Sequence, residues 1–237
     1  MSYYRASREL EQTRRPTESK TSMLNAIPLF SNLNDAQLAS IGAQMAMRVW
    51  EKGEYVLREG ERGDSLYVIL AGRVKVFSVD AADPSKEVIL KTLGAGEFFG
   101  ELPLFDQEPR SASVAAMDRC HLQILSYASF RRAIESSPDI SQRVMETLAR
   151  RLRAATRKIG DLALHDISSR VSRTLLELAI MSNGHRVVGA PFTQQDLAHM
   201  VGASREMVNR TLRDLEESGY ILVERKSITI LNEQLPT

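Results

Sequence analysis

The sequence predicts an α+β protein that combines an N-terminal β jelly roll, a long dimerisation helix and a C-terminal winged helix-turn-helix domain. Between residues 48 and 125, short strand-like runs alternate with glycine-rich turns, which is typical of a β-barrel or double-sheet jelly roll. Residues 144–162 carry apolar side chains at spacings of four and three, as on a helix that pairs with another helix. Residues 192–219 contain two capped helices joined by a turn with a glycine.

Length and composition favour two domains. The chain has 237 residues, of which 43% are hydrophobic and 26% are charged, and a chain of this length can bury two modest cores. Changes in the pattern of apolar, polar and glycine residues along the sequence predict four segments. They are a mobile tail at 1–22, a β-barrel domain with flanking short helices at 23–136, the dimerisation helix at 137–164, and the winged helix-turn-helix domain at 165–237.

Several classes of protein are excluded by what the sequence lacks. Cys120 is the only cysteine, which excludes an intrachain disulfide and an all-cysteine metal site within one chain. The four histidines lack metal-ligand spacing, so we expect no metal and no cofactor. The sequence has no nucleophile-elbow, zinc-binding or Walker motif, which argues against an enzyme and leaves no catalytic candidate. Because neither a signal region nor a membrane-length apolar run is found, we expect a cytoplasmic protein without membrane contact.

The first domain is predicted to begin with short helices and to continue as strands. Apolar positions between residues 23 and 47 predict the helices, with Asn34 as a cap before the second. The strand-like runs are YVL, SLYVIL, RVKVFSV, EVILKTL, SASVAA and HLQIL. Seven of the thirteen glycines fall between these runs, where turns need backbone conformations that other residues avoid. A barrel of such strands can hold a small ligand.

A motif suited to an anionic ligand lies in this region, where GEFFGELPL at 96–104 is followed by PRSASV at 109–114. Backbone amides at Gly100, Glu101 and Leu102, at the start of a short helix, can point at a phosphate. Arg110 supplies a forked cation, and Ser111 supplies a hydroxyl beside it. A phosphate repels a carboxylate, so Glu101 suits a ribose hydroxyl instead. The alternative is a turn in which Arg110 pairs with Glu101 and no ligand enters.

These two segments resemble the phosphate-binding cassette of cyclic nucleotide-binding domains in the cAMP receptor protein/FNR superfamily of transcription regulators. The resemblance extends over residues 29–230 and implies the same ligand-binding roles for the five cassette residues. In cAMP-responding members, two adjacent hydroxyl residues of the long helix contact the adenine, and the matching residues here are Ala155 and Thr156. Thr156 is therefore the candidate base contact. Because Arg153, Arg157 and Lys158 lie nearby, cyclic di-GMP is an alternative to cAMP.

The long helix is predicted to run from residue 138 to 164 and to carry a dimer seam. The apolar positions of the seam are Val144, Leu148, Leu152, Ala155, Ile159 and Leu162. An exposed seam of this length needs a partner helix. The resemblance implies that the helix pairs with its twin across a two-fold axis and also closes the ligand pocket. The alternative is a helix that packs back on its own barrel.

The helix-turn-helix is the second functional element. Thr193 and Asp196 form a capping-box pattern, Gly202 lies in the turn, and Ser204 can cap the second helix. The apolar stripe that closes the two helices comprises Leu197, Val201, Val208, Leu212 and Leu215. The opposite side of the second helix carries Arg205, Glu206, Asn209, Arg210 and Arg213. Such side chains can read base edges and hold phosphates when a helix lies in the major groove.

The flanks of this element complete the predicted domain. A helix at 167–181 and a loop at 182–191 precede it, and YILVERKSITIL predicts a hairpin wing after it. The resemblance implies that base edges are read by Arg205, Glu206 and Arg210. It also implies that DNA phosphates are approached by Thr193, Gln195 and Ser204.

Overall charge gives little support to DNA binding. The net charge is +1, and the segment from residue 166 onward has eight Lys and Arg against nine Asp and Glu. DNA-binding domains usually have a basic balance, so contact with DNA must depend on a local cluster and on two copies acting together.

We therefore expect a homodimeric regulator that is gated by a cyclic nucleotide and binds a palindromic operator in double-stranded DNA. RNA polymerase is the expected further partner, and the sequence leaves activation and repression open. Two alternatives remain. One is a regulator that has no nucleotide ligand, and the other is a nucleotide-binding regulatory subunit that does not bind DNA.

Overall fold

Two four-stranded antiparallel sheets form the N-terminal half of the protein. The computed structural model describes residues 23–83, 86–182, 184–224, 227–232 and 234–236, and the predicted tail at 1–22 lies outside them. The strands are β1 (Met45–Trp50), β2 (Tyr55–Leu57), β3 (Ser65–Ala71), β4 (Val74–Val79), β5 (Glu87–Leu93), β6 (Phe98–Phe99), β7 (Ser113–Ala116) and β8 (Cys120–Ser126). The sheets have the orders β1-β8-β3-β6 and β2-β7-β4-β5. This arrangement confirms the predicted jelly roll.

The two sheets enclose an apolar core because each strand turns alternate side chains inward. The core side chains include Trp50, Ile69, Val74, Leu93, Phe99 and Leu122. Cys120 is fully buried among them, and its Sγ lies 3.1 Å from the Arg73 carbonyl oxygen. Burial, with a smaller contribution from Asp118, raises the pKa of this thiol to about 11.

The first strand begins earlier than the sequence predicts. Short helices were expected as far as residue 47, but β1 begins at Met45 and pairs with β8 along its whole length. The ladder with β8 outweighs the local helical pattern, because it satisfies the backbone groups of the segment that point toward β8. A 3₁₀ turn (Pro28–Phe30) and helix α1 (Asp35–Ala43) precede the strand, and Asn34 caps α1 as predicted.

Helix α2 (Leu102–Asp106) lies between β6 and β7, and helices α3 (Tyr127–Ser136) and α4 (Pro138–Leu164) follow β8. The bounds of α4 agree with the sequence prediction. Its seam, however, divides into two parts. Val144 is 2% exposed and packs with the partly buried Leu148 on the chain's own N-terminal core, whereas Leu152 and Ile159 are 70% and 67% exposed. The first part of the predicted dimer seam therefore packs on its own barrel, and the second part remains exposed.

The C-terminal half comprises α5 (Ile167–Leu178), β9 (Ile180–Ser182), β10 (His185–Val188), α6 (Gln194–Val201), α7 (Arg205–Glu217), β11 (Ile221–Val223) and β12 (Ile228–Ile230). The sheet order β11-β12-β10-β9 includes the predicted wing, β11 and β12. Two predictions were wrong here. The helix predicted at 167–181 ends at Leu178 and is followed by β9, and the loop expected at 182–191 contains β10. Tertiary contacts explain both differences, because β10 pairs with both β9 and β12 and buries Val188.

The helix-turn-helix packs against the chain's own barrel. Met200 of α6 is 8% exposed and lies among Phe77, Ile89 and Ala115 of the second sheet. Beside this apolar contact, the Glu87 carboxylate of β5 lies 2.5 Å from Lys75 Nζ and 3.1 Å from His199 Nδ1. One carboxylate therefore joins a strand of the barrel to the first helix of the helix-turn-helix.

Candidate ligand pocket and DNA-binding surface

Arg110 is the central side chain of the cassette and is only 5% exposed. Its Nη1 donates to the Gly100 carbonyl at 2.7 Å, and its Nη2 donates to the Ser65 carbonyl at 3.0 Å. The guanidinium fits because two neighbours lack side chains. A Cβ on Gly63 would lie 2.6 Å from Arg110 Cζ, and a Cβ on Gly100 would lie 2.7 Å from Nη1.

Part of the donor capacity of Arg110 remains unused. Its Nε is buried and has no hydrogen-bond partner among the described residues. A guanidinium has five N–H donors, and a buried donor without an acceptor is unfavourable. Arg110 lines a niche of about 60 Å³, together with the cassette residues Gly100, Glu101, Leu102 and Ser111. This niche can hold a phosphate-sized anion.

Glu101 is paired with a residue that the sequence did not single out. The carboxylate is 4% exposed, and its Oε1 accepts from Arg151 Nη1 of α4 at 2.7 Å. Arg151 also donates to the Phe98 carbonyl. Arg151 of the long helix therefore neutralises the Glu101 carboxylate, in place of the pairing with Arg110 that the alternative predicted. Helical spacing in the sequence could have pointed to Arg151, because Arg151 shares one side of α4 with Leu148 and Ala155.

A cavity of about 1020 Å³ extends from the cassette to the C-terminal half. Its walls come from β5, α4, α5 and α6, and Ala155 is among the lining residues. Thr156 lies outside this lining. It is exposed, and its hydroxyl donates to the Leu152 carbonyl at 3.0 Å. The predicted base contact is thus not brought together with the cassette within one chain.

Two lysines line the same cavity on facing elements. Lys91 is paired in register with Val76, which is 9% exposed, so it lies on the inward side of β5. Burial and the nearby Arg151 lower the pKa of Lys91 to about 8. Lys158 of α4 donates to the carbonyls of Ile89 and Leu90 at 2.5 and 3.4 Å, and burial lowers its pKa also. The cavity is therefore rich in positive charge.

The caps of the helix-turn-helix have the predicted geometry. The Asp196 amide donates to Thr193 Oγ1 at 3.1 Å, and the Thr193 amide donates to Asp196 Oδ2 at 2.8 Å. Gly202 has a φ of 65° in the turn, a conformation that favours glycine. Ser204 Oγ accepts from the Met207 amide at 3.3 Å. The hydroxyls of Thr193 and Ser204 therefore cap α6 and α7.

The recognition helix α7 has the predicted two-sided character. Val208 and Leu212 are at most 2% exposed, whereas Arg205, Glu206 and Arg210 are exposed.

The predicted DNA-binding residues differ in their exposure and in their hydrogen-bond partners. Hydrogen bonds from its own amide and from Ser204 lower the pKa of Glu206, so its carboxylate is ionised at neutral pH. Asn209 is half-buried, and its Oδ1 has no partner among the described residues. The exposed Gln195 lies with its Nε2 at 2.6 Å from His199 Nε2, next to the contact with the barrel.

In the described ranges, no group of three or more His, Cys, Asp or Glu side chains is arranged to hold a metal ion. Within the same residues, no helix combines the length and the apolar character that crossing a membrane requires.

A cyclic nucleotide-binding domain followed by a helix-turn-helix domain defines the class of the protein. The family model described as the cyclic nucleotide-binding domain matches residues 47–137, and the Crp-like helix-turn-helix domain matches residues 169–235. The first match contains the cassette, and the second contains α6, α7 and the wing.

Curated relatives agree with this division. The chain is 33% identical over 210 residues to the CRP-like cAMP-activated global transcriptional regulator of Mycobacterium tuberculosis, covering 87% of this chain and 93% of the relative. It is 37% identical over 182 residues to the cAMP-activated global transcriptional regulator Vfr of Pseudomonas aeruginosa, covering 74% and 84%. The chain belongs to the CRP family. It is a DNA-binding transcription regulator with a cyclic nucleotide-binding domain, and not an enzyme.

Solved structures share the fold. The c-di-GMP responsive global regulator CLP of Xanthomonas campestris superposes with a TM-score of 0.74 at 28% identity, covering 84% of this chain and 100% of that chain. The CRP/FNR-like architecture of a β-sheet domain, a long helix and a helix-turn-helix domain is therefore common to both proteins.

Proposed function

We propose that the protein is a homodimer in which a cyclic nucleotide binds between the barrel and α4 and repositions the two recognition helices on a palindromic site. The observation that carries this proposal is the buried contact between Glu101 and Arg151. It joins the cassette to the long helix, which leads directly into the DNA-binding half. A ligand that changes this contact can shift the population of the two arrangements to the extent that it binds one of them better.

The phosphate of the ligand is assigned to the small niche beside Arg110. The amides at Gly100, Glu101 and Leu102, the free Arg110 Nε–H and the Ser111 hydroxyl are its donors. Glu101 accepts from a ribose hydroxyl while it remains paired with Arg151. Each group then has a partner of complementary charge or hydrogen-bonding type.

The two candidate ligands are cAMP and cyclic di-GMP. The M. tuberculosis and P. aeruginosa relatives are named as cAMP-activated, which supports cAMP. The X. campestris neighbour is described as c-di-GMP responsive, and the excess of cations around the cavity supports the dinucleotide. Ala155, which lines the cavity, offers no hydroxyl to an adenine. A regulator without a nucleotide ligand is the remaining alternative.

Dimerisation is assigned to the exposed part of the α4 seam. Leu152, Ile159 and Leu162 are 70%, 67% and 43% exposed, and an apolar stripe of this kind is stabilised by a second helix. A two-fold axis along α4 provides the pairing that a palindromic operator requires. Thr156 lies beside this stripe, so its ligand contact is assigned to the pocket of the second copy.

DNA binding is assigned to α7 and to the ends of α6. Arg205, Glu206 and Arg210 contact base edges, with Asn209 beside them. Phosphates are held by Thr193, Gln195 and Ser204. Two recognition helices then contact half-sites about 34 Å apart, as in other dimeric helix-turn-helix proteins. A cytoplasmic location and contact with RNA polymerase follow from this role and belong to the proposal.

The test is a fluorescence titration of labelled palindromic DNA with the full chain, with and without each nucleotide. We expect sequence-selective binding that weakens with salt and changes with one nucleotide. Arg110→Ala should abolish the nucleotide effect, and Arg205→Ala should lower base preference at one position per half-site by about 1–3 kcal/mol. Arg119→Ala, which removes an exposed barrel arginine, is the control. Selective binding that is absent with every nucleotide would show that the proposal is wrong.

A further inference from the structure

One row of residues across the second sheet lines the cassette niche. Leu57 of β2 pairs with Val114 of β7, and Val114 pairs with Val76 of β4. The row ends with Lys91 of β5, which is the register partner of Val76. All four residues line the niche of about 60 Å³. Because directly opposite residues of antiparallel strands project from the same face of a sheet, the Lys91 side chain leaves β5 on the inward side.

The lysine differs from every other member of this row. Leu57, Val114 and Val76 are 8%, 3% and 9% exposed and belong to the core of the barrel. Leu93, two positions after Lys91 and therefore on the same side of β5, belongs to that core as well. An ammonium removed from water without an opposite charge is unfavourable in the folded protein. Packing therefore explains the three apolar residues of the row but not the lysine.

Four charged side chains line the niche in the described part of the chain, and two of them neutralise each other. The Glu101 carboxylate is paired with Arg151 at 2.7 Å. The Arg110 guanidinium donates to two neutral carbonyls. Lys91 has neither a hydrogen bond nor an ion pair with any residue that the structure describes. The niche therefore contains two cations, Arg110 and Lys91, without a carboxylate partner.

The charged groups around Lys91 leave its ammonium uncompensated. Burial, followed by the charge of Arg151, lowers the pKa of Lys91 to about 8, and Glu101 and Glu97 only partly oppose that effect. Glu97 is also engaged elsewhere, because its Oε2 accepts from the Gly94 amide at 2.9 Å. An anion in the niche would favour the charged form of Lys91 and raise its pKa again.

We propose that Lys91 is a phosphate-binding residue of the cassette niche, and that the phosphate of the ligand lies between its ammonium group and Arg110. This inference rests on the proposed function, which assigns the ligand phosphate to the niche. Neighbouring strands are about 4.8 Å apart, so Lys91 lies two strand spacings from β7, which follows Arg110 and Ser111 in the chain. A lysine side chain and a phosphate group together can span that distance. The proposal gives the only charged member of the row a function.

The test is isothermal titration calorimetry of the full chain with cAMP, cGMP and cyclic di-GMP. The variant Lys91→Met keeps the length of the side chain and removes its charge. Lys52→Met is the matched control, because Lys52 is an exposed lysine of the same barrel. Arg110→Ala shows separately whether a nucleotide binds through the niche.

We expect every nucleotide that binds the wild-type protein to lose about ten- to a hundredfold in affinity in Lys91→Met. The losses for adenine and guanine nucleotides should agree within about threefold, because a contact with the phosphate does not depend on the base. Lys52→Met should bind as the wild type does. Arg110→Ala should weaken each nucleotide that binds.

Proton uptake gives a second readout that a purely structural role of Lys91 would not change. At pH 8 about half of the Lys91 side chains are neutral without ligand. Because a phosphate favours the ammonium form, binding at this pH should take up close to half a proton, measured in buffers of different ionisation enthalpy. At about pH 6 the lysine is already charged, so the uptake should be close to zero. Lys91→Met should lose the uptake at pH 8.

Thermal unfolding without ligand separates a lost contact from a folding defect. The pKa of Lys91 is about 8 in the folded protein and 10.5 as its ordinary value. The unfolded chain therefore binds this proton more strongly, and the resulting loss of stability is fully present below pH 8 and disappears above pH 10.5. We expect Lys91→Met to unfold at a higher temperature than the wild type at pH 7, although it binds the nucleotide more weakly.

Three results would overturn the inference. If Arg110→Ala abolishes binding while Lys91→Met binds every nucleotide as tightly as the wild type, the lysine does not contact the ligand and the proposed function stands. If only adenine or only guanine nucleotides are weakened in Lys91→Met, the lysine contacts the base and its phosphate role is wrong. If no cyclic nucleotide binds the wild-type protein, both the proposed function and the role of Lys91 are wrong.

Discussion

Gly63 controls the position of Arg110 although it carries no side chain. Its Cβ position lies 2.6 Å from Arg110 Cζ, 2.7 Å from Arg110 Nε and 2.8 Å from Pro103 Cγ. These separations are shorter than van der Waals contact, so any side chain would push the guanidinium away from the niche. A residue that contacts no ligand therefore determines where the phosphate-binding cation lies.

Gly63→Ala should weaken nucleotide binding through this displacement. We expect an overpacking cost of about 1–3 kcal/mol, visible as a lower midpoint of urea denaturation, together with at least tenfold weaker nucleotide binding by calorimetry. Gly94→Ala is the control, because a Cβ there meets no described atom within 4 Å. Equal nucleotide affinity in the two variants would contradict this role of Gly63.

The cassette could be found from sequence because its residues are close together in the chain. Gly100, Glu101 and Arg110 lie within eleven positions, and each residue type has a chemical reason for its place. The partners supplied from a distance could not be found in this way. Arg151 is 50 positions from Glu101, and the inward direction of Lys91 depends on its strand register with Val76.

At the level of the elements, α4 changes from a buried to an exposed apolar face along its length. Ile140 and Val144 are buried in the N-terminal core, and Leu152 and Ile159 are exposed further along the same helix. Spacing alone predicted one continuous seam, because periodicity reports which side of a helix is apolar but not which surface covers each turn. The strands β9 and β10 were missed for a related reason, since β10 is defined by its pairing with the distant β12, and β9 by its pairing with β10.

Ile159→Asp should convert the proposed dimer into monomers. A charge buried in a helix seam without a partner costs roughly 3 kcal/mol or more, which raises the dissociation constant at least about a hundredfold in analytical ultracentrifugation. The folded monomer should keep its helical circular dichroism, because Ile159 is 67% exposed within one chain. Arg150→Asp, about 180° away on the same helix, should leave the dimer unchanged. Dissociation in both variants would contradict the assignment of the seam.

For the molecule as a whole, the docking of the helix-turn-helix on the barrel is the central feature. Met200 enters an apolar site of the second sheet, and Glu87 contacts both Lys75 and His199. At the other side of the element, Leu162 of α4 lies 3.3 Å from the Cβ position of Gly202. The sensor strands and the long helix therefore both contact the DNA-binding element directly.

Glu87→Gln should loosen this docking. The substitution removes the charge that His199 and Lys75 share, at a cost of about 1–3 kcal/mol. We expect faster hydrogen exchange at the amides of α6 and β5, with little change in β1 and β8, measured by mass spectrometry. Glu51→Gln, which affects an exposed pair with Arg119, is the control. Unchanged exchange in α6 would show that the carboxylate does not stabilise the docked arrangement.

The buried Cys120 has a practical consequence for such measurements. Its thiol is fully inaccessible and its pKa is raised to about 11, so maleimide reagents at neutral pH should not modify it in the folded protein. Since Cys120 is the only cysteine of the chain, a cysteine introduced at an exposed position becomes the single reactive thiol. Fluorophores can then be attached to one chosen site of the wild-type background, and ligand-induced movement of the recognition helix can be followed by energy transfer without first removing a native cysteine.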